Sequence, residues 1–186
     1  MNSSHNNKNV RRGGGAAKTA LAGMLSALSV AIMFIGCATG VMDLTAVTVA
    51  SLFSMIAVAE LGVTYGIGVW VAVSLLSFLL LPDKFVFAEY AFFGGIYPIL
   101  KLYLERIRNR VAEWTAKIAY AAAVVALLLV TEIFILKLPC EAWYLYAGFA
   151  GGFLLFFAVY DLALSRAITL YIRNIRPKLT FLRRLR

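Results

Sequence analysis

The sequence predicts an all-α, polytopic membrane protein with about six transmembrane helices. Hydrophobic residues make up 62% of the 186 residues and charged residues only 15%, whereas soluble domains are roughly 45–50% apolar and 25% charged. The mean hydropathy is +0.86. The apolar residues form runs of up to about 24 residues, and a bilayer needs about 20 per helix. Charged residues gather between these runs, as expected for loops at a membrane surface.

Three regions follow from this pattern. Residues 1–16 are polar and glycine-rich without apolar periodicity, which predicts a disordered, basic head. Residues 17–172 hold the apolar runs and form the predicted six-helix transmembrane domain. Residues 173–186 form a basic tail, which we expect in the cytoplasm.

The first three spans are separated by a short turn and by a glycine-containing segment. The first extends from Thr19 to Met42 without a charge. The second, from Leu44 to Ala59, has 16 residues and is either a short span or a partly re-entrant segment. The third begins at Gly62 and ends at Leu81, before a proline that breaks the helix.

The last three spans each contain one carboxylate. The fourth begins near Phe85 and extends into a charged segment, and Pro98, one turn after a glycine pair, predicts a kink in it. The fifth extends from about Trp114 to Leu136 and the sixth from Trp143 to about Ile172.

The distribution of basic residues predicts that both termini are cytoplasmic. Of the 18 lysines and arginines, 16 fall on the side of the termini, and only Lys84 and Lys137 fall on the other. An even number of spans and the positive-inside rule agree on this orientation. We therefore expect a multi-pass protein of the cell (plasma) membrane, with anionic lipids at its cytoplasmic face.

The sequence gives no sign of catalysis, a metal site or a cofactor. It contains two cysteines and one histidine, and no catalytic or phosphate-binding motif matches. We therefore expect no enzyme. The net charge of +9 leaves nucleic-acid binding as a minor alternative, but basic flanks of membrane spans explain it better. A cleaved or lipidated signal ending at Cys37 is a second alternative, which Phe34 and Ile35 fit poorly.

Two carboxylates and several aromatic residues share the outer layer of the predicted bundle. Ionisable residues inside spans are costly, so they are functional candidates. Rings can stack on an aromatic solute or hold a cationic one. The alternative is an interfacial aromatic belt with salt bridges to Lys84 or Lys137. The predicted substrate-binding residues are Glu89, Tyr90, Glu132, Trp143 and Tyr146.

The inner layer also contains charges, for which structural pairing is the favoured interpretation over a coupling role. Lys101 and Glu105 are four residues apart and share a helix face. Asp161 lies deep enough on the sixth span to need a partner, either Lys101 or Arg166.

Small residues recur at four-residue spacing on the first span and predict a strip that another helix can approach closely. This strip packs either within the chain or against a partner. The predicted partner-docking residues are Ala22, Gly23, Ser26, Ala27 and Ala31.

Three segments resemble the substrate-binding S-components of energy-coupling factor (ECF) vitamin transporters: Thr19–Leu28, Glu60–Gly66 and Phe92–Lys101. The resemblance extends over roughly residues 17–172. It implies a compact six-helix protein that captures a vitamin-like solute near its outer face. It also implies docking on a shared membrane coupling subunit, driven by two ATPases, through A-x-x-x-A residues of helix 1. Ala27 and Ala31 are the strict match here.

The sequence thus predicts a membrane-embedded solute-binding subunit of an ECF-type importer of a vitamin or micronutrient. The alternative from another class is a non-transporting membrane scaffold or regulatory protein with a basic cytoplasmic face. A lipid-modifying enzyme ranks third, because no cluster of carboxylates or histidines lies in one leaflet.

Overall fold

A computed structural model of the chain describes residues 3–40, 43–106, 109–136 and 143–176, and within these the side chains of 3–14, 132–136, 143–147 and 175 are not described. In the described ranges the chain forms helices and no strand. Six of the helices are long and apolar enough to cross a membrane. This confirms the predicted all-α, polytopic fold with six membrane-spanning helices.

The six helices follow one another with short connections. They are α1 (Ser3–Thr39), α2 (Asp43–Leu61), α3 (Val63–Leu80), α4 (Lys84–Leu104), α5 (Arg110–Leu136) and α6 (Trp143–Leu170). Neighbouring helices joined by so few residues run in opposite directions. We call the end of the bundle that contains Gly40, Asp43 and Lys84 the Asp43 end, and the end that contains Leu61 and Leu104 the Lys101 end.

The start of α1 differs from the sequence-based expectation. Its apolar part is Gly15–Thr39, but the helix continues back through the polar segment to Ser3, where the sequence predicts a disordered head. A helix satisfies its backbone hydrogen bonds internally, so it can extend past the membrane without apolar partners. The division into head, domain and tail stays a prediction, and residues 177–186 of the tail lie outside the described ranges.

α2 is longer than the uncharged run that predicted it. Its 19 residues measure about 29 Å at a rise of 1.5 Å per residue, close to the thickness of a bilayer core. Gly62 alone separates it from α3, with φ of 95°, a conformation that favours glycine. A side chain at Gly66 would collide with Val58, so glycine allows the two helices to meet closely.

α4 is the central helix of the bundle, with 67% of its apolar window buried against 22–50% for the other five spans. It is interrupted by a π-helical turn, Tyr90–Gly94, and resumes as an α-helix at Tyr97. The predicted irregularity is present, but it lies before Pro98. That proline occupies the first turn of the second half, where its missing N–H leaves no hydrogen bond unmade.

Gly94, the last residue of the π-helical turn, and Gly95 directly after it allow α4 to approach α2 and α3. A Cβ at Gly94 would stand 2.7 Å from Val47 Cγ1 and 3.2 Å from the Val47 carbonyl oxygen. A side chain at Gly95 would meet Trp70. Because no bulkier residue fits, the glycines fix how closely these helices pack.

Candidate solute site

Glu89 ends the first half of α4 at the Asp43 end of the bundle, directly before the π-helical turn. The residue is 4% exposed, and its Oε2 atom is buried without a hydrogen-bond partner among the described residues. Leaving a carboxylate buried and unpaired costs several kcal/mol, at least about 2 by mutational measures. Such a group is therefore a candidate for contact with something that the described residues do not supply.

Lys84 does not form a salt bridge with the buried carboxylate of Glu89. Its Nζ donates to the carbonyl oxygens of Phe78 at 2.6 Å and of Leu81 at 2.9 Å, and it lies 5.2 Å from the centre of the Phe78 ring. The ammonium group thus caps the end of α3, where helix carbonyls carry partial negative charge. The alternative that Glu89 serves only as a salt-bridge partner of Lys84 does not match this geometry.

The charged neighbours of Glu89 are acidic. Asp43, at the start of α2, and Asp83, just before α4, carry the charges that act on it most directly. Asp43 Oδ1 is likewise buried and makes no hydrogen bond within the described part of the chain. Asp83 is exposed and accepts a hydrogen bond from the backbone N–H of Phe85 at 2.8 Å, which caps α4. The site is therefore strongly negative.

Tyr90 faces the interior of the bundle. It is fully buried, and its hydroxyl shares a 2.6 Å hydrogen bond with the Ser54 hydroxyl on α2. This hydrogen bond connects the π-helical turn to α2 at the residue that directly follows Glu89. Its predicted contact with a solute stays a prediction.

The other predicted solute contacts are placed by their backbones only. Glu132 lies one turn before the end of α5, and Trp143 begins α6, with Tyr146 in its first turn. Their side chains lie outside the described part of the structure, as does Lys137. Their share in the site stays a prediction.

Asp161 is the centre of a buried charge cluster on the Lys101 side of the bundle. Its Oδ1 accepts hydrogen bonds from the Tyr97 hydroxyl at 2.6 Å and from Lys101 Nζ, and its Oδ2 accepts one from Lys117 Nζ at 2.9 Å. All three charged residues are at most 6% exposed. Lys101 is thus one of the two partners that the sequence suggested for Asp161.

Two further carboxylates complete this cluster. Glu105 Oε1 lies 2.9 Å from Lys101 Nζ, and Glu113 Oε1 lies 2.7 Å from Lys117 Nζ. The cluster joins α4, α5 and α6 and leaves no buried ammonium unpaired. The predicted Lys101–Glu105 pair is confirmed, and the pairing favours a structural role for the cluster.

Lys117, Glu113 and Tyr97 belong to this cluster without having been assigned from the sequence, and Lys117 is the one of them that gave a clear signal. The signal was present, because Lys117 is a basic residue inside the fifth apolar run and Asp161 an acidic residue inside the sixth. Two opposite charges inside adjacent spans favour pairing over separate burial.

An aromatic layer separates the charge cluster from Glu89. Tyr97 stacks on Tyr120 with ring centres 5.5 Å apart, and Phe93 lies 4.6 Å from Tyr160. The Tyr120 hydroxyl donates to the carbonyl oxygen of Phe92 in the π-helical turn at 2.7 Å. These contacts connect the turn next to Glu89 with the hydroxyl that binds Asp161.

The predicted docking residues of α1 line an open apolar groove against α3. Gly23 and Ala27 are exposed there and Ala22 is half-buried, whereas Ser26 is buried. A Cβ added at Gly23 or at Gly68 on α3 would meet no atom within 4 Å. The groove continues along Ala27, Ala31 and Leu80. We call this surface the α1–α3 groove, and what covers it stays a prediction.

No cluster of three or more His, Cys, Asp or Glu side chains suited to a metal ion occurs in the described residues. The chain matches no protein-family model, no curated protein and no solved structure.

Proposed function

We propose that this multi-pass membrane protein is the solute-binding subunit of an ECF-type importer of a vitamin or micronutrient in the cell membrane. Glu89 carries the proposal, because it is buried, unpaired and next to the interruption of the central helix. Residues held at such a cost are commonly functional. The predicted orientation makes the Asp43 end the outer end, where an imported solute would arrive.

The interruption of α4 supports the same site. A π-helical turn is rare and is often found at functional positions. Here it follows Glu89 and places Tyr90 against Ser54. A short segment with non-standard backbone geometry next to an unpaired carboxylate is what a binding site within the bundle requires.

The α1–α3 groove supports the second part of the proposal, docking on a coupling subunit. Gly23, Ala27 and Gly68 leave a smooth apolar channel in which a helix of a membrane partner can pack closely. The two ATPases of such an importer would act through that subunit. Lipid is the alternative occupant, and it needs no specific residues.

The alternative function is a membrane scaffold or regulator that binds anionic lipid or a soluble partner through its basic face. Arg106, Arg110 and Arg173 are exposed at the Lys101 end, where they favour anionic headgroups. That function makes no use of Glu89. If the protein is a scaffold, Glu89→Gln should leave its binding to anionic lipid or to a soluble partner unchanged.

Mass spectrometry of small molecules released from the detergent-purified, full-length protein tests the proposal. We expect an organic solute in near-stoichiometric amount from the wild type, and a strongly reduced amount from Glu89→Gln. Glu105→Gln is the matched control, because it makes the same change directly after α4 in a carboxylate that is 44% exposed. Equal retention by the wild type and Glu89→Gln would contradict the proposal.

A further inference from the structure

The chemistry around Glu89 narrows the class of ligand that fits it. Glu89 lies within the electrostatic influence of Asp43 and Asp83, and Glu89 and Asp43 each have a buried oxygen without a hydrogen-bond donor in the described structure. A carboxylate oxygen only accepts hydrogen bonds. A ligand at these oxygens must therefore donate a hydrogen bond, and the acidic neighbours of Glu89 favour a donor that carries positive charge.

Within the bundle, Glu89 is the most enclosed of the three. It is 96% buried, given its exposed fraction of 4%. The nearest basic side chain in sequence, Lys84, is held by two carbonyl oxygens. Lys84 is therefore not the cation that pairs with Glu89 in the described part of the chain.

An inorganic divalent cation does not fit well. Calcium takes 6–8 oxygen ligands at 2.3–2.6 Å, and no three acidic side chains in the described ranges are arranged to hold a metal ion. An ammonium group needs less, because each of its three N–H donors makes a separate hydrogen bond. Hydrogen bonds between charged partners are also about twice as strong as neutral ones.

The rings at this end of the bundle suit an ammonium group as well. Phe78 and Phe87 meet edge to face with ring centres 5.2 Å apart. The Phe78 ring already accepts the ammonium of Lys84, an attraction that the negative face of an aromatic ring provides. Acidic and aromatic side chains thus occur at the same end of the bundle as Glu89.

We infer that the solute bound at Glu89 carries a protonated primary amine, which donates to the unpaired oxygens of Glu89 and Asp43. This inference depends on the proposed solute-binding function and names the class of solute. It assigns Asp43 a role in binding that the sequence did not give it. Asp83, which is exposed, adds negative charge that acts on Glu89.

Binding of a matched set of probes to the detergent-purified, full-length protein tests the inference. Benzylammonium offers charge and N–H donors, benzyltrimethylammonium offers charge alone, and benzyl alcohol offers neither charge nor N–H. We expect benzylammonium to bind at least about tenfold more tightly than the other two. Glu89→Gln should weaken its binding about 10- to 100-fold, the range for losing a hydrogen bond to a charged group, and Glu105→Gln should leave it unchanged.

Four results would overturn the inference: no binding of benzylammonium, equal binding of benzyl alcohol, unchanged affinity in Glu89→Gln, or displacement of benzylammonium by calcium chloride at millimolar concentration. The proposed function fails separately. If the retained solute is neutral or anionic and its binding requires Glu89, the proposed function stands and the inference of a protonated amine is wrong. If the protein retains no solute but binds benzylammonium through Glu89, the amine site stands and the proposed solute-binding function fails.

Discussion

Lys84 and Glu89 lie five residues apart on α4 and yet do not pair. Five residues correspond to a rotation of about 140° from each other around a helix, so the two side chains leave α4 on different sides. Lys84 turns to the carbonyl oxygens of Phe78 and Leu81, while Glu89 points into the bundle. The separation leaves the carboxylate available for a ligand.

Replacing Asp161 by Asn should destabilise the protein by about 3–5 kcal/mol, because two buried ammonium groups lose their shared counter-charge. Glu105→Gln, at the exposed edge of the same cluster, should cost about 0–1 kcal/mol. Unfolding in detergent, followed by tryptophan fluorescence, measures both. Adding Lys117→Met to Asp161→Asn should recover part of the loss, and equal stability of Asp161→Asn and Glu105→Gln would disprove the structural role.

The six helices and one ion pair of the Asp161 cluster could be predicted from the sequence, whereas the contact between Lys117 and Asp161 could not. The six apolar runs predicted the six helices, since burial of backbone and apolar side chains in lipid leaves few alternatives. The four-residue spacing of Lys101 and Glu105 predicted their ion pair, because residues four apart lie on the same face of a helix. The contact of Lys117 with Asp161 depends on how α5 and α6 rotate against each other, which no local pattern fixes.

The same distinction applies to α4. Its glycines and proline predicted an irregular helix, but the π-helical turn at Tyr90–Gly94 coincides with close packing of Gly94 on Val47 and of Gly95 on Trp70. The orientation of Tyr90 toward Ser54 follows from that turn. Because these are contacts between residues distant in the chain, the sequence could not predict Ser54 as the partner of Tyr90.

Gly94→Ala should destabilise the protein by about 1–3 kcal/mol, because the new methyl group would overlap Val47 and force α4 away from α2. Gly68→Ala is the matched control, since a Cβ there meets no atom within 4 Å. Its effect should be neutral or slightly stabilising. Combining Gly94→Ala with Val47→Ala should restore part of the stability. A Gly94→Ala protein as stable as Gly68→Ala would mean that α2 and α4 are not in close contact.

Ala27→Leu should abolish co-purification of a coupling subunit from native membranes and leave the protein folded, because the larger side chain fills the α1–α3 groove. Ala163→Leu, at an exposed position of α6, is the matched control and should have no effect. Unchanged co-purification with Ala27→Leu would remove the groove as a docking surface.

Cysteine labelling in whole cells should confirm that the Lys101 end is cytoplasmic. In a protein with Cys37 and Cys140 replaced by serine, a cysteine at Asn109 should resist a membrane-impermeant maleimide until the cells are opened. A cysteine at Pro82 should react at once. Both positions are exposed, so access to solvent does not limit either reaction. Labelling at Asn109 in intact cells would reverse the predicted orientation.

The affinity of Glu89→Gln for the solute that the wild type retains tests the central claim most directly. Calorimetric titration of that solute into the wild type, Glu89→Gln and Glu105→Gln measures it. We predict a loss of about 1–3 kcal/mol in Glu89→Gln, as expected for a charge-assisted hydrogen bond, and wild-type affinity in Glu105→Gln. Wild-type affinity in Glu89→Gln would contradict a solute site at this carboxylate.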